Sequence, residues 1–332
     1  MNDLKDKIIL VTGGTGTLGS KLVEALLPHN PKVIRVLSRD ESKQHELLEK
    51  LGYPRNLRAL IGDIRDRTRL ERALQDVDIL FHAAAMKHVP FCEYNPFEAV
   101  QTNIVGSQNV IDAALKNGVK KVVAISTDKV VNPAGVMGVS KLMMEKLFIN
   151  ANHYKGNAKT LFSCVRFGNV TWARGSVLAS WKQQAATNGA IKVPSDEMTR
   201  FFMTQDEAIT LVLEAERLMN GGEIFVFKMP AIKIRDLADM FLEKYFPGKQ
   251  IGIQALRRRA GEKLHEELVS VNDASGKIFE NEKMFVIIPQ MQIYGMEAEE
   301  RRDEYSGYKP AQMTADYSSR THLSPERMQT LI

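Results

Sequence analysis

The feature that most constrains the fold lies near the start of the chain, where a strand, a glycine-rich loop and a helix are predicted in succession. Residues 7–12 (KIILVT) have the apolar, β-branched character of a buried strand, and a helix is predicted over residues 20–27 (SKLVEALL). Glycine recurs between them at Gly13, Gly16 and Gly19. Glycines let a backbone approach a pyrophosphate, and the N-terminus of the next helix attracts its charge. This order predicts a dinucleotide site, whose other loop contacts are expected to be Thr15, Thr17 and Leu18.

The end of the second predicted strand, residues 32–38, bears on which dinucleotide binds. An NAD site usually has an acidic residue about 20 positions after the glycine loop, where it holds the ribose hydroxyls. Here Arg39 occupies that neighbourhood, and Lys43 follows one helical turn later. Two cations suit the 2′-phosphate of NADP, so NADP is favoured. Asp40 keeps NAD open as the alternative.

Further strands and helices alternate along the first half of the chain. Strands are predicted over residues 57–62 and 78–85, and a long helix over residues 96–116. The second of these strands ends in three alanines, whose small side chains leave room for a flat cofactor. The alternation predicts an α/β fold with a Rossmann-like, doubly wound parallel sheet. Cofactor contacts at these strand ends are expected from Asp63, Ile64, Ala83, Ala84 and Ala85.

A candidate acid/base site follows the predicted strand at residues 121–126. Thr127, Asp128 and Lys129 stand in a row where that strand ends. A turn follows, and then a helix that starts near residue 136 and carries Met137 and Lys141 four positions apart, on one face. A hydroxyl, a carboxylate and an ammonium opposite a second lysine could form an acid/base site. The alternative is a solvated strand end beside an ordinary amphipathic helix.

The alternation weakens beyond a sixth predicted strand at residues 160–167. We expect an NADP-binding Rossmann domain over residues 1–168, to which parts of 200–230 return. A smaller C-terminal region that binds the substrate is expected over 169–290, and an arm or tail over 291–332. The arginines at positions 257–259 either form a solvated face or clamp a diphosphate, for which the guanidinium fork is well shaped.

Composition excludes several classes of protein. The 332 residues carry a net charge of +5 without a basic stripe, so nucleic-acid binding is not expected. Cys92 and Cys164 lie far apart and lack metal-site spacing, so no metal is expected. No apolar run approaches the length of a membrane span, and the first residues lack the architecture of a signal peptide. These features predict a soluble cytoplasmic protein.

The motifs together resemble those of the extended short-chain dehydrogenase/reductase superfamily. More closely, the chain is similar to nucleotide-sugar 4,6-dehydratases that act on UDP-N-acetylglucosamine in bacterial surface-polysaccharide and flagellin-glycan pathways. The similarity runs from about residue 6 to 270. The segments that carry it are TGGTGTLG, SRDESKQ, GDIRD, HAAAMKHVP, TNIVGSQNV, STDKVVNP, RFGNV, RGSV, MTRFF and GEKLHEEL.

This resemblance implies a mechanism. The sugar loses hydride from C4 to tightly bound NADP⁺, the resulting ketone acidifies H5, and water is lost across C5–C6 before the hydride returns to C6. By the family pattern, Asp128 is the acid at O6 and Lys129 the base at C5. Thr127 hydrogen-bonds O4, and Lys141 holds the nicotinamide ribose and lowers nearby pKa values. Lys129 must be partly neutral to act as a base, which desolvation and a neighbouring cation would favour.

Two positions depart from the family pattern. The superfamily's usual Tyr-x-x-x-Lys motif has Met137 in place of tyrosine, as in some members of the dehydratase branch. A thioether cannot accept the O4 proton, which must therefore pass to Thr127, a water or Asp128. Ala260 replaces the proline of the family's RPGEK. The residues that the resemblance places at the UDP-sugar are Lys87, Asn169, Arg174, Ser176, Arg200, Arg259 and Glu262.

Two other functions remain open on the sequence. A UDP-hexose 4-epimerase would share the fold, the cofactor and the hydride chemistry, but it needs no acid/base pair for C5 and C6. A non-catalytic NADP-binding sensor would explain the missing tyrosine but not the retained Asp128 and Lys129. The resemblance also implies a homo-oligomer, a dimer or larger, with a hexamer as one option.

Overall fold

The computed structural model describes residues 4–257, 261–289 and 305–332. Its strands are β1 (Ile8–Thr12), β2 (Val33–Ser38), β3 (Leu57–Ile61), β4 (Ile79–His82), β5 (Lys121–Ile125), β6 (Leu161–Arg166), β7 (Asn169–Val170), β8 (Ala190–Val193), β9 (Thr199–Met203), β10 (Ile224–Phe227), β11 (Ala231–Lys233), β12 (Gly252–Ala255), β13 (Glu267–Val269), β14 (Lys277–Glu280), β15 (Met284–Ile288), β16 (Lys309–Pro310) and β17 (Tyr317–Ser318). Its helices are α1 (Thr17–Leu26), α2 (Glu41–Lys50), α3 (Arg67–Ala73), α4 (Val89–Tyr94), α5 (Pro96–Ala99), α6 (Gly106–Lys116), α7 (Val136–Tyr154), α8 (Val177–Asn188), α9 (Gln205–Leu218), α10 (Ile234–Tyr245) and α11 (Met328–Leu331).

The main sheet confirms the predicted fold class. Its parallel strands follow the order β3-β2-β1-β4-β5-β6-β10, with helices between them in sequence. Strand order reverses between β1 and β4, and this switch point is where doubly wound sheets bind their ligands. The sheet continues past the predicted boundary at residue 168, because β15, β14 and β16 extend it antiparallel beyond β10.

The central strands of the main sheet are buried on both faces, which accounts for their continuous apolar runs in the sequence. Consecutive residues of β1, β4 and β5 are fully buried, because helices cover both faces of the parallel sheet. The predicted long helix at 96–116 is present, but a π-helical turn at Val100–Val105 separates α5 from α6. Such turns are frequent at functional sites.

A second apolar cluster lies outside the main sheet. It is built on α8, α10 and their neighbours, with Trp181 and Phe241 at its centre. In the part of the predicted C-terminal arm that the structure describes, Tyr305 packs into the main core, and α11 packs into the second cluster. Among the helices of the described residues, none has both the length and the apolar character needed to cross a bilayer.

Candidate active site

A cleft of about 850 Å³ opens at the carboxyl ends of the parallel strands, at the switch point between β1 and β4. Every residue predicted to contact the cofactor lines it: Gly13, Thr15, Gly16, Thr17, Leu18, Gly19, Arg39, Asp40, Lys43, Asp63, Ile64, Ala83, Ala84, Ala85 and Lys141. Of the other predicted site residues, Thr127, Lys129, Met137, Lys87, Asn169, Arg174 and Ser176 also line it. The fold therefore brings these predicted residues, which are scattered along the sequence, to a single cleft.

The loop between β1 and α1 requires glycine because its backbone packs directly against other backbone segments. Gly13 has φ +67°, and a Cβ on it would lie 2.7 Å from the Cα of Ala84. A Cβ on Gly19 would clash with the carbonyl oxygen of Gly13, whereas at Gly16 the nearest atom would be 3.1 Å away. The start of α1 can therefore lie directly under a pyrophosphate, as a dinucleotide requires.

The corner of the cleft after β2 combines Arg39, Asp40 and Lys43. Asp40 caps helix α2, because its Oδ1 accepts a hydrogen bond from the backbone nitrogen of Lys43 at 3.1 Å. Its other oxygen pairs with the Lys43 ammonium. The Arg39 side chain is 64% exposed, with Nη1 3.8 Å from the carboxylate of Asp63. The Asp40 carboxylate is thus occupied by contacts within its own helix, while the Arg39 guanidinium faces the cleft.

Helix α7 brings Met137 and Lys141 into the cleft on one face. The helix can pack closely against the 127–131 segment because residue 138 is glycine. A Cβ at that position would overlap the carbonyl oxygen of Lys129. The buried Lys141 Nζ donates to the carbonyl oxygen of Ile125 at 2.6 Å and to the Met144 sulfur at 3.0 Å. Burial lowers the pKa of Lys141 to about 8. This amine can change protonation near neutral pH.

Asn103 fixes the loop that follows β4, and the sequence carried no signal for that role. It lies in the π-helical turn, where its side chain bonds both the backbone N–H and the backbone carbonyl of Met86, at 2.8 and 3.0 Å. Its amide also donates to the hydroxyl of Ser140 on α7, at 3.0 Å. One buried amide thus ties the alanine-containing wall of the cleft to the helix that carries Met137 and Lys141.

The three consecutive polar residues after β5 form one hydrogen-bonded unit. Oδ1 of Asp128 accepts from the Thr127 hydroxyl and from the Lys129 ammonium, each at 2.9 Å. Asp128 is fully buried behind these two side chains, and its Oδ2 makes no hydrogen bond to any residue of the described ranges. That oxygen packs against Gly168 in the cleft wall, where a Cβ would lie 3.1 Å from it. An orphaned carboxylate oxygen is costly and is expected at functional sites.

The charge of Lys129 differs from the expectation that it is partly neutral. Burial does lower the pKa of this lysine, and Arg200 acts in the same direction. The carboxylates of Asp128 and Glu266 outweigh both, so the pKa is raised above its ordinary value. Glu266 lies within the quoted GEKLHEEL segment but was not identified from the sequence, because only the fold brings it to Lys129.

The residues predicted to bind substrate fall into two groups. Lys87 donates to the carbonyl oxygen of Arg174 at 3.0 Å, and the backbone nitrogen of Arg174 donates to the Thr17 hydroxyl at 3.0 Å. This second contact brings Arg174 to the glycine loop. Asn169 and Ser176 complete this side of the cleft, and the buried Ser176 hydroxyl has no hydrogen-bond partner among the described residues.

The second group consists of Arg200, Arg259 and Glu262. Arg200 is buried and donates to the carbonyl oxygens of Thr199, Lys263 and Leu264. It holds the 261–268 segment in place and does not line the cleft. Glu262 lies in the same segment, and Arg259 falls outside the described residues. Ligand binding by these three residues stays a prediction.

The fold and the site define the protein as an α/β protein of the extended short-chain dehydrogenase/reductase type. The chain belongs to the polysaccharide biosynthesis protein family, whose model matches residues 9–289. A solved structure, Pen from Bacillus thuringiensis, covers 99% of this chain and 98% of its own, with a TM-score of 0.92 and 40% identity.

Curated relatives place the chain within that family. A UDP-N-acetylglucosamine 4,6-dehydratase (inverting) of Campylobacter jejuni is 46% identical over 86% of this chain and 84% of its own. A protein of Methanocaldococcus jannaschii named an uncharacterized membrane protein is 50% identical, over 87% of both. A UDP-glucose 4-epimerase of Rickettsia canadensis is 41% identical over 81% of this chain and 79% of its own. The resemblance to the dehydratase branch is therefore confirmed, and epimerases are the nearest alternative.

Proposed function

We propose that this protein is a UDP-N-acetylglucosamine 4,6-dehydratase. The observation that carries the proposal is the unit formed by Thr127, Asp128 and Lys129, placed at the wall of the dinucleotide cleft and opposite Lys141. A hydroxyl, a buried acid and an amine in contact are the groups that elimination next to a ketone requires. The product is a UDP-2-acetamido-2,6-dideoxy-4-hexulose. The reaction is that of a hydro-lyase in polysaccharide biosynthesis.

The cofactor we assign is a nicotinamide dinucleotide, and NADP rather than NAD. The glycine backbone contacts at Gly13 and Gly19 support a dinucleotide, and the exposed Arg39 guanidinium supports a 2′-phosphate. We assign the nicotinamide ribose to Lys141, a role supported by its position in the lining of the cleft. When bound, the nicotinamide accepts a hydride from C4 and returns it to C6.

The proton from O4 needs an acceptor other than Met137, and the geometry favours Thr127. Its hydroxyl donates to Asp128, so it can accept the O4 proton while it passes its own to that carboxylate. This transfer leaves Asp128 protonated, which is the form needed to assist departure of O6. Because Asp128 is fully buried behind Thr127 and Lys129, its proton returns to the cleft along the same hydrogen bond to the Thr127 hydroxyl.

Lys129 is the base that we assign to C5. Its side chain is 25% exposed and lines the cleft, whereas Asp128 is connected to the cleft through its hydrogen bonds to Thr127 and Lys129. The two groups share a hydrogen bond, so removal of H5 and protonation of O6 occur beside one another. We assign the UDP moiety to Lys87, Asn169, Arg174 and Ser176, which line the cleft, with Arg259 and Glu262 as further contacts. Arg200 would support the segment that carries Glu262.

The second candidate function is that of a UDP-hexose 4-epimerase, which the Rickettsia relative supports. An epimerase returns the hydride to C4 and leaves C5 and C6 untouched, so it has no use for Lys129 beside Asp128. The decisive experiment is incubation of the purified protein with UDP-N-acetylglucosamine, followed by mass spectrometry of the sugar nucleotide. We expect a product that is lighter by one water. A product of unchanged mass with the galacto configuration would support the epimerase instead, and an unaltered substrate would support a sensor.

We also propose that the protein self-associates through α7. Val139, Met143 and Tyr154 lie on one face of this helix, and each is about half exposed. A second copy that presents the same helix would bury this face in an isologous contact. Light scattering at micromolar concentration should report a dimer or a larger assembly. A monomer, or an assembly unchanged by Met143→Glu, would contradict this interface.

A further inference from the structure

Glu266 is a buried carboxyl that touches the acid/base unit and has no role in the mechanism above. Its Oε1 lies 3.7 Å from Nζ of Lys129, and the residue is only 2% exposed. Its Oε2 accepts no hydrogen bond within the described ranges, although Nζ of Lys263 is 3.6 Å away. Asp128 and Glu266 thus both form ion pairs with Lys129, and each has one oxygen that accepts no hydrogen bond from the described residues.

A small cavity joins Glu266 to Lys129. Its volume of about 10 Å³ is close to that needed by one water molecule. Lys129, Lys263 and Glu266 supply polar lining, and Met137 and Gly138 close the side that faces α7. A water there would have the two or more polar partners that it needs. At 3.7 Å the two side chains are too far apart for a direct hydrogen bond, so a proton would pass between Lys129 and Glu266 through one water.

The fold positions Glu266 independently of the cleft. Its backbone N–H donates to the Ser319 hydroxyl at 2.9 Å, and its carbonyl oxygen accepts from the Ser319 backbone at 2.8 Å. Ser319 follows β17, which pairs with β13 directly after Glu266. Arg200 adds a contact of 3.5 Å to the carboxylate. Neither Ser319 nor Arg200 lines the cleft, so we infer that Glu266 acts on the reaction through Lys129.

The charges around Glu266 favour proton uptake. Burial raises the pKa of this carboxyl, and Asp128 raises it further. The cations that face it, Lys129, Arg200 and Lys263, act in the opposite direction without cancelling the rise. A carboxyl in this setting accepts a proton more readily than an exposed glutamate.

We propose that Glu266 stores the proton that Lys129 must lose before it acts as the base at C5, an inference that rests on the proposed dehydratase function. At rest, Lys129 is an ammonium between two carboxylates. Once the O4 proton has reached Asp128, an N–H bond of Lys129 breaks and an O–H bond forms on Glu266. The neutral amine takes H5 as the proton of Asp128 joins O6 and water leaves. Lys129 returns its proton to C5 while the hydride removed from C4 returns to C6, and Glu266 then re-protonates Lys129.

Glu266→Gln tests the proposal, because the amide keeps the shape of the side chain but cannot store a proton. We expect it to oxidise C4, seen as absorbance of reduced nicotinamide, while product formation at neutral pH falls about a hundredfold. Activity of the variant should recover as the pH rises, because solvent then deprotonates Lys129. Glu266→Asp restores an acid within reach of the cavity water and should regain most of the rate at neutral pH. KM for the UDP-sugar should change little in either variant.

The matched control is Glu267→Gln, which removes the adjacent carboxylate that pairs with Lys263 and should behave like the parent. The proposal is overturned if Glu266→Gln keeps the parent's rate and pH profile. It is also overturned if Glu266→Gln loses C4 oxidation as well, with no recovery at alkaline pH and no rescue by aspartate. A parent protein that yields no dehydrated product would reject the proposed function itself, so the two failures are distinguishable.

Discussion

The two halves of the cleft are assembled in different ways. The cofactor half uses residues 13–85, which follow one another at the ends of consecutive strands. The acid/base half joins Thr127, Asp128 and Lys129 to Glu266, which is anchored by Ser319. The first half depends on backbone shape, and the second on buried charges that offset one another. Substitutions in the first should therefore act on binding and stability, and substitutions in the second on individual chemical steps.

The largest effect is expected from Lys129→Ala. Without the base, water elimination should fall about a thousandfold or more, within the range attributed to a positioned general base. C4 oxidation should persist, because it does not use this amine. Stopped-flow absorbance should show reduced nicotinamide accumulating without 6-deoxy product. Turnover at the parent rate would remove Lys129 from the mechanism.

The cofactor half should respond to Gly19→Ala in its stability. The new Cβ would meet the carbonyl oxygen of Gly13, and neither backbone segment can move freely. We expect a loss of about 1–3 kcal/mol in the free energy of unfolding, as for overpacked sites. Gly16→Ala is the matched control, since its Cβ would lie 3.1 Å from the same carbonyl oxygen, a tight contact rather than an overlap, and should cost less. Urea denaturation that ranks the two variants equally would contradict the proposed close packing.

Lys141 lines the cleft between the two halves. Its titration should make the free energy of unfolding depend on pH. Its folded pKa is about 8, below the 10.5 of an unfolded lysine, so the unfolded state binds more protons between these values. The parent should therefore gain roughly 3 kcal/mol over Lys141→Met as the pH rises across this window. Below about pH 8 the difference should be constant. Parallel stability curves for the two proteins throughout this range would show that Lys141 is not perturbed.

Much of the cofactor half could be predicted from the sequence because its signals are local. The strand, glycine loop and helix lie within about twenty residues. Arg39 and Ala83–Ala85 each follow a predicted strand directly, and those strands lie on either side of β1. Glu266 could not be predicted in this way, since it pairs with Lys129 across more than a hundred residues. Its effect on the charge of Lys129 was missed for the same reason. The three carbonyl contacts by which Arg200 holds the 261–268 segment also join residues distant in sequence, so they could not be predicted either.

A more modest effect is expected from Arg39→Ala, which sharpens the cofactor assignment. Loss of one charged hydrogen bond to a 2′-phosphate should weaken NADP binding about tenfold, or 1.4 kcal/mol. NAD affinity should stay within twofold, because Asp40 keeps its cap on α2. Calorimetry with both dinucleotides provides the measurement. An equal loss for both would assign Arg39 a structural role.

The smallest effect is expected from Met137→Leu. Met137 is buried among apolar neighbours that include Cys92 and Ala99, and it has no proton to transfer. A volume-conserving exchange should cost less than about 1.5 kcal/mol in stability and leave the rate nearly unchanged. A large loss of C4 oxidation would show that the thioether has a role that its chemistry does not suggest.

The central claim is that Asp128 and Lys129 carry out an elimination across C5–C6. It is tested most directly by incubating the protein with UDP-N-acetylglucosamine in deuterated water and recording NMR spectra of the product. We predict a 4-keto, 6-deoxy sugar with deuterium at C5, because Lys129 exchanges its protons with solvent before it returns one. The C6 methyl group should keep the hydrogen that left C4. A galacto-configured sugar with hydrogen retained at C5 and the C6 hydroxyl intact would contradict the claim.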